Sequence, residues 1–203
     1  MAAFSIPIAL DPPVEIDDDQ LLLRFHEGDR AALEELFQKY RQPAFRVAYR
    51  LLGNEADALD AVQDGFIKAL THLGTFEHRS SFKTWLLRVV SNASLDLGRQ
   101  RSRRETVNLD AAEVQNGPLD QLQVLDESGS RLERAELRSL IDEALQILSD
   151  SQRQTFVLQA DAGLSYREVA EVLDISIGTV MSRLFYAREK MRAFLEERLA
   201  EDQ

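Results

Sequence analysis

One stretch near the end of the chain, residues 163–194, most constrains the fold, and it reads GLSYREVAEVLDISIGTVMSRLFYAREKMRAF. Ser165 and Glu168 have the spacing of a capping box, in which a hydroxyl and a carboxylate satisfy free N–H groups where a helix begins. Ser176 suits the N-cap of a second helix that follows a corner at Asp174. A short helix, a tight corner and a second helix are typical of the helix-turn-helix, whose second helix enters the DNA major groove.

The second helix of this stretch has two different faces. Val180, Leu184, Ala187 and Met191 recur at helical spacing and predict a buried stripe. The opposite face is expected to meet DNA, and it carries Thr179, Met181, Ser182, Arg183, Phe185, Tyr186 and Arg188. The alternative is a helical hairpin that reads no DNA. Residues 176–192 contain four basic residues and one acidic residue in an otherwise acidic protein, which favours the DNA reader.

Composition excludes several kinds of site. The 203 residues include no cysteine, so a disulfide framework, a zinc–thiolate site and a thiol nucleophile are excluded. His26, His72 and His78 are too isolated to predict a metal site. No Gly-rich phosphate loop or Ser/His/Asp signature is present, so we expect neither an enzyme nor a cofactor. The sequence shows no convincing signal peptide and no apolar run long enough to cross a membrane, which fits a cytoplasmic protein.

Charge is distributed in blocks along the chain. The net charge is −11, yet residues 31–104 contain 12 basic and 8 acidic residues, while residues 105–150 contain 3 basic and 11 acidic ones. A protein with basic islands on an acidic background neutralises few phosphates and should bind naked DNA poorly by itself. This distribution suggests that a larger assembly supplies the rest of the affinity.

The segment before residue 105 predicts four helices. The third, ending near Leu73, should bury Leu59, Val62, Phe66, Ile67 and Leu70. Its polar face carries Asp60, Gln63, Asp64 and Lys68, and the residues alone favour ordinary solvation for it.

The fourth helix begins near Ser81 and ends in a basic cluster. Phe76, Phe82 and Trp85 precede that cluster, an arrangement that suits nucleic-acid strands because arginines hold phosphates and rings stack on bases. Burial of Phe82 and Trp85 in a core is the alternative. Asn92 lies mid-helix, where asparagine has poor propensity but could read a base edge.

The chain therefore predicts an all-α fold of two small helical domains joined by a flexible acidic linker. Residues 1–16 are expected to form a flexible tail and residues 17–104 the first domain. Residues 105–130 are acidic and contain Gly-Pro, which predicts a linker, and residues 131–203 form the second domain.

Three segments together resemble the extracytoplasmic-function (ECF) subfamily of bacterial RNA polymerase sigma factors. They are DALDAVQDGFIKAL, FKTWLLRVVSNASLD and LSYREVAEVLDISIGTVMSRLFYARE, in that order. The resemblance covers about residues 21–199. It implies a region 2 in the first domain, a region 4 in the second, and binding to core polymerase, recognition of −10 and −35 promoter elements, and DNA melting.

The resemblance also implies partners and residue roles. Asp60, Gln63, Asp64 and Lys68 would dock on the clamp helices of the polymerase β′ subunit, and the second domain would meet the β flap. Residues implied at the −10 element are Phe76, Phe82, Trp85, Arg88, Asn92, Arg99, Arg101 and Arg103. Phe76 and Asn92 would receive a flipped base, since a base that leaves the stack must regain contacts. The family further implies an anti-sigma partner.

The −35 reader departs from the family at two positions. Many relatives have Lys or Arg where this chain has Met181, and often a basic residue near Tyr186. The departure shifts the expected readout towards thymine methyl groups or DNA shape. A stand-alone helix-turn-helix regulator with an N-terminal sensor or dimerisation domain is the alternative function, although it has no reason to carry Phe76, Trp85 and Asn92 ahead of an arginine cluster.

Overall fold

The computed structural model describes residues 17–77, 79–107 and 131–201, and the regular structure of these ranges is helical. The chain divides between Lys39 and Tyr40 into two compact units. The expected tail, 1–16, and residues 108–130 of the expected linker lie outside the described residues. Residues 105–107 are described, and they extend a helix.

The first unit contains helix α1 (Asp18–His26) and the beginning of helix α2 (Arg30–Leu52). Asp29 caps α2 by accepting a 2.9 Å hydrogen bond from the Ala31 N–H. Arg24 links the two helices, because its Nη2 lies 2.7 Å from Asp29 Oδ2 and 3.1 Å from Glu35 Oε1. Gly28 allows the sharp connection because its φ of +100° is readily adopted only by glycine.

In the second unit, helices α3 (Glu55–His72) and α4 (Phe82–Val107) pack closely together. The face that α3 buries is made mostly of small residues: Ala58, Ala61, Val62, Gly65 and Ala69. A Cβ added at Gly65 would lie 2.9 Å from Val90 Cγ2. The two helix backbones can approach this closely only because position 65 has no side chain.

This packing corrects part of the predicted core of α3. Val62 is buried, but Leu59, Ile67 and Leu70 are 48%, 54% and 43% exposed. The physical reason is that α4 needs a flat surface for close approach, and the small-residue stripe supplies it. The large apolar side chains of α3 are consequently left on its outer side.

The remaining helices are α5 (Arg131–Gln146), α6 (Asp150–Ala160), α7 (Tyr166–Leu173) and α8 (Ile177–Glu201). Ser149 and Gln152 form a capping box at the beginning of α6. Val157, Val169 and Val180 are fully buried and bring α6, α7 and α8 onto one core. Within the described ranges, no helix combines the length and the apolar character needed to cross a membrane.

Candidate nucleic-acid interface

The helix-turn-helix corner forms as its local sequence predicts. The Glu168 carboxylate accepts a 2.8 Å hydrogen bond from the Ser165 N–H, and the Ser165 hydroxyl accepts one from the Glu168 N–H. Burial alone would raise the pKa of Glu168, but the hydrogen bonds from Ser165 and Thr84 outweigh it and leave the pKa below its ordinary value. Asp174 has φ +52° and ψ +50°, the left-handed conformation that short polar residues tolerate.

Helix α8 begins from a second cap and buries the predicted stripe. The Ser176 hydroxyl accepts a 3.1 Å hydrogen bond from the Thr179 N–H. Val180, Leu184, Ala187 and Met191 are all buried, which confirms the predicted stripe. The other side of α8 is thereby turned away from the core.

The outward side of α8 is unusually apolar. Met181, Phe185 and Tyr186 are 55%, 60% and 59% exposed, and the rings of Phe185 and Tyr186 meet edge to face at 5.4 Å. Ile177 is 47% exposed and lies one turn before Met181. Sequence reasoning missed Ile177, although its spacing of four residues from Met181 could have identified it.

The polar residues predicted for the −35 element surround this apolar surface. Ser182 and Arg188 are exposed, while Thr179 and Arg183 are half-buried. Ser182 Oγ donates to the Gly178 carbonyl at 3.0 Å, and Arg188 Nη2 donates to Gln159 Oε1 at 3.2 Å. The structure therefore brings all seven predicted residues to one helix, with two arginines beside an apolar centre.

Aromatic rings cluster where the −10 reader was predicted. The centroid of Phe76 lies 5.2 Å from that of Trp85 and 6.0 Å from that of Phe82. Phe82 also lies 5.7 Å from Tyr40 and is only 2% exposed. Phe82 is thus a core residue, and the expectation that it contacts DNA directly does not fit this structure. Phe76 and Trp85 remain half-buried at the edge of the cluster.

The outward side of α4 carries Arg88, Asn92, Arg99 and Arg103, all exposed. Arg101 differs, because its guanidinium pairs with the Asp57 carboxylate of α3 and is only half-exposed. A guanidinium already held by a carboxylate is less suited to a phosphate, so the structure weakens the role predicted for Arg101. Elsewhere on α4, Ser91 and Ser94 are fully buried.

The outer side of α3 combines charge with exposed apolar groups. Asp60, Gln63, Asp64 and Lys68 are exposed, and Lys68 Nζ lies 2.7 Å from Asp64 Oδ2. Leu59, Ile67 and Leu70 lie on the same side, and we call these seven residues the outer face of α3. Ordinary solvation explains the polar residues but not three exposed large apolar ones. An apolar patch rimmed by charge is typical of a protein-binding surface.

Metal binding has no structural support among residues 17–77, 79–107 and 131–201. No three His, Asp or Glu side chains in these ranges are grouped to hold an ion.

Two family descriptions match the chain. "Sigma-70 region 2" matches residues 36–104, which include α3 and most of α4. "Sigma-70, region 4" matches residues 138–191, which include α6, α7 and the exposed apolar surface of α8.

Individual proteins agree with these matches. The chain is 32% identical over 187 residues to the RNA polymerase sigma-H factor of Pseudomonas aeruginosa, covering 91% of this chain and 96% of that one. It is 31% identical over 175 residues to the ECF RNA polymerase sigma factor SigW of Bacillus subtilis, covering 84% and 92%.

Solved structures share the fold. CnrH in complex with the cytosolic domain of CnrY has a TM-score of 0.66 at 27% identity, covering 89% of this chain and 97% of that one. The sigma factor RpoE from Bartonella quintana, in complex with the anti-sigma factor NepR, has a TM-score of 0.61 at 27% identity, covering 80% and 98%. With both regions matched and relatives above 30% identity over nearly the whole chain, this protein belongs to the ECF subfamily of RNA polymerase sigma factors.

Proposed function

We propose that the chain is an alternative sigma factor that binds core RNA polymerase, recognises −10 and −35 promoter elements and melts DNA. The observation that carries this proposal is that the two sigma-region matches fall on the two helical segments whose outward sides carry the candidate DNA-contacting residues. The chain itself catalyses no reaction, and it acts in the cytoplasm, where the polymerase is. We assign residues 17–104 to the domain for polymerase and the −10 element, 105–130 to the linker, and 131–203 to the domain for the −35 element.

The outer face of α3 is the proposed dock for the clamp helices of the β′ subunit. Burying Ile67 and Leu70 against a partner would remove apolar area from water, which is worth about 25 cal/mol per Å². We expect Ile67→Asp to weaken capture of core polymerase at least tenfold while the fold is retained, because the side chain is 54% exposed. Ala31→Asp is the control, since it adds the same carboxylate at an exposed position in the first turn of a different helix, α2, and should leave capture unchanged.

The outward side of α4 is the proposed reader of the −10 element. Arg88, Arg99 and Arg103 would hold phosphates, which position DNA without reading its sequence. Asn92 can bond a base edge through both its amide oxygen, as acceptor, and its amide nitrogen, as donor. Phe76 and Trp85, half-buried near the beginning of α4, can receive a base that has left the stack. Phe82 supports them from the core.

The outward side of α8 is the proposed reader of the −35 element. Met181 and Phe185 offer apolar contacts of the kind that thymine methyl groups accept. Arg183 and Arg188 are placed to contact phosphates or guanine. Because few cations lie on this helix, much of the affinity for the promoter must come from the polymerase.

An anti-sigma protein is the proposed regulator. RpoE of Bartonella quintana, which shares this fold, is found in complex with an anti-sigma factor. A stand-alone regulator is not favoured, because the sigma-factor similarity spans the first domain as well as the helix-turn-helix.

The proposal is tested by run-off transcription with purified core polymerase and promoters selected from random DNA by the reconstituted holoenzyme. We expect sequence-specific transcripts only when the chain and core polymerase are both present. Specific DNA binding by the chain alone, together with no binding to core polymerase, would instead support the stand-alone regulator.

A further inference from the structure

An apolar row runs along the outward side of α8, the helix that is proposed to meet the −35 element. Ile177, Met181 and Phe185 follow one another at intervals of four residues and are 47%, 55% and 60% exposed. This spacing places the side chains on one side of the helix, about 6 Å apart along its axis. We call these three residues the apolar row of α8. Phe185 is also held in place, because the ring of Tyr186 meets it edge to face at 5.4 Å.

Three polar side chains near the row already have partners within the protein. Ser182 Oγ donates to the carbonyl oxygen four residues earlier at 3.0 Å, and Thr179 Oγ1 lies 2.9 Å from Ser176 Oγ. Arg188 Nη2 donates to Gln159 Oε1 at 3.2 Å. Hydroxyl and guanidinium protons that are engaged in this way are less available to base edges. Hydrogen-bonded readout by these residues is therefore reduced, and apolar contact carries a larger share of the sequence discrimination.

The major groove offers one apolar group that suits such a row. Thymine projects its C5-methyl group into this groove, where apolar side chains, phenylalanine among them, contact it. Cytosine carries a hydrogen atom at C5, whereas 5-methylcytosine carries the same methyl group at the same position as thymine. Base pairs rise by about 3.4 Å in B-form DNA, so side chains about 6 Å apart reach methyl groups one or two base pairs apart.

We propose that the apolar row of α8 recognises the C5-methyl groups of pyrimidines, so that the −35 element accepts thymine or 5-methylcytosine at the contacted positions and disfavours uracil and unmodified cytosine. This inference rests on the proposed function, since it assumes that α8 enters the major groove of that element. It makes promoter recognition responsive to the methylation of cytosine. Removal of one contacted methyl group should weaken binding about fourfold, the equivalent of about 0.8 kcal/mol for one buried carbon.

Deoxyuridine tests the role of the methyl group, because its base differs from thymine only by the absence of that group. The reconstituted holoenzyme first selects promoters from random DNA. Each thymine on either strand of the selected −35 element is then replaced singly by uracil, and binding of the wild-type holoenzyme is measured by fluorescence anisotropy. We expect about fourfold weaker binding at two or more positions that lie one or two base pairs apart.

Two variants assign each methyl group to a side chain. With Met181→Ala the loss of affinity caused by uracil should disappear at one position, and with Phe185→Ala it should disappear at a neighbouring one. Leu199→Ala is the matched control, because Leu199 lies on the same helix outside the row and is 55% exposed, as is Met181. It should leave the effect of uracil unchanged at every position. Thermal unfolding checks that the three variants keep the fold.

A second set of duplexes separates the two sources of the methyl group. At a position that is sensitive to uracil, the A·T pair is replaced by a G·C pair that contains either cytosine or 5-methylcytosine. We expect the methylated duplex to bind about fourfold more tightly than the unmethylated one. Met181→Ala or Phe185→Ala should abolish this difference at its own position. Equal binding of the two duplexes would overturn the proposal, because recognition would then depend on the rest of the thymine base.

Three further results would overturn methyl recognition by the apolar row of α8. The first is a selected −35 element that contains no A·T pair. The second is uracil that binds as tightly as thymine at every position. The third is an effect of uracil that persists in both Met181→Ala and Phe185→Ala. Failure of the proposed function looks different, because the chain would then form no holoenzyme and select no promoter.

Discussion

Gly65 is the position at which one added methyl group should be most costly. The Cβ of Gly65→Ala would lie 2.9 Å from Val90 Cγ2 and 3.1 Å from Val90 Cα, whereas ordinary contacts begin at 3.4 Å. Val90 is fully buried, so its side chain has no open space to move into. Its Cα belongs to the backbone of α4. Relief therefore requires α3 and α4 to move apart.

The expected magnitude follows from two opposing effects. Overpacking of a core costs about 1–3 kcal/mol. Alanine favours a helix over glycine by about 1 kcal/mol. The free energy of unfolding should therefore fall by about 1 kcal/mol, which lowers Tm by about 2–4 °C in a domain of this size.

Gly74→Ala is the matched control, because its added Cβ would meet nothing within 4 Å. Thermal and urea unfolding are followed by circular dichroism. The free energy of unfolding of Gly65→Ala should be about 1–3 kcal/mol lower than that of Gly74→Ala, which is the cost of overpacking. Gly65→Ala should cost less stability when it is combined with Val90→Ala, because the clashing Cγ2 is then absent. If Gly65→Ala is as stable as Gly74→Ala, the helices are not in contact at Gly65 and the explanation for the exposed outer face of α3 is wrong.

Three further predictions concern the readers. Asn92→Ala should reduce discrimination between −10 sequences in run-off transcription by roughly 1–3 kcal/mol, while pull-down of core polymerase is unchanged; equal loss of both would make Asn92 structural. Met181→Lys should add one phosphate contact and steepen the salt dependence of binding to the −35 element by about one unit, measured by fluorescence anisotropy with holoenzyme; an unchanged slope would place Met181 away from DNA. The pKa of Glu168 is lowered in the folded state, so its ionised form stabilises the fold above the ordinary glutamate pKa and that contribution is lost as pH falls through the folded pKa. Glu168→Gln should therefore flatten the decline of unfolding free energy in acid, measured by urea unfolding across pH, and an unchanged decline would contradict this.

Local sequence determined the helix ends and the faces of the last helices. The capping box at Ser165 and the corner at Asp174 form as predicted, because each depends on residues within one turn of one another. The capping box at Ser149 is equally local. The buried stripe of α8 also follows from spacing alone. The ordered set of three segments was enough to indicate the family, since each segment lies within one or two helices.

Only the tertiary structure decided which side of α3 is buried. Periodicity predicts that a helix has an apolar side, but it does not say whether large or small residues meet the neighbouring helix. Gly65 and its alanine neighbours allow α4 to approach, and Ile67 is consequently left outside. The sequence showed the same residues without showing the distance between the two backbones.

Tertiary structure likewise assigned the individual aromatic and charged groups. In sequence, Phe82 and Trp85 are equally good candidates to stack on bases. In the structure Phe82 is buried against Tyr40, whereas Trp85 is only half-buried. Arg50 pairs with Asp142, which is 92 residues away in the sequence, and Thr84 forms a hydrogen bond with Glu168, which is 84 residues away. Such contacts depend on how whole helices pack, and no local hydrogen bond or periodic pattern encodes them. The sequence therefore determined which residues each helix offers, and the packing decided which of their side chains remain exposed.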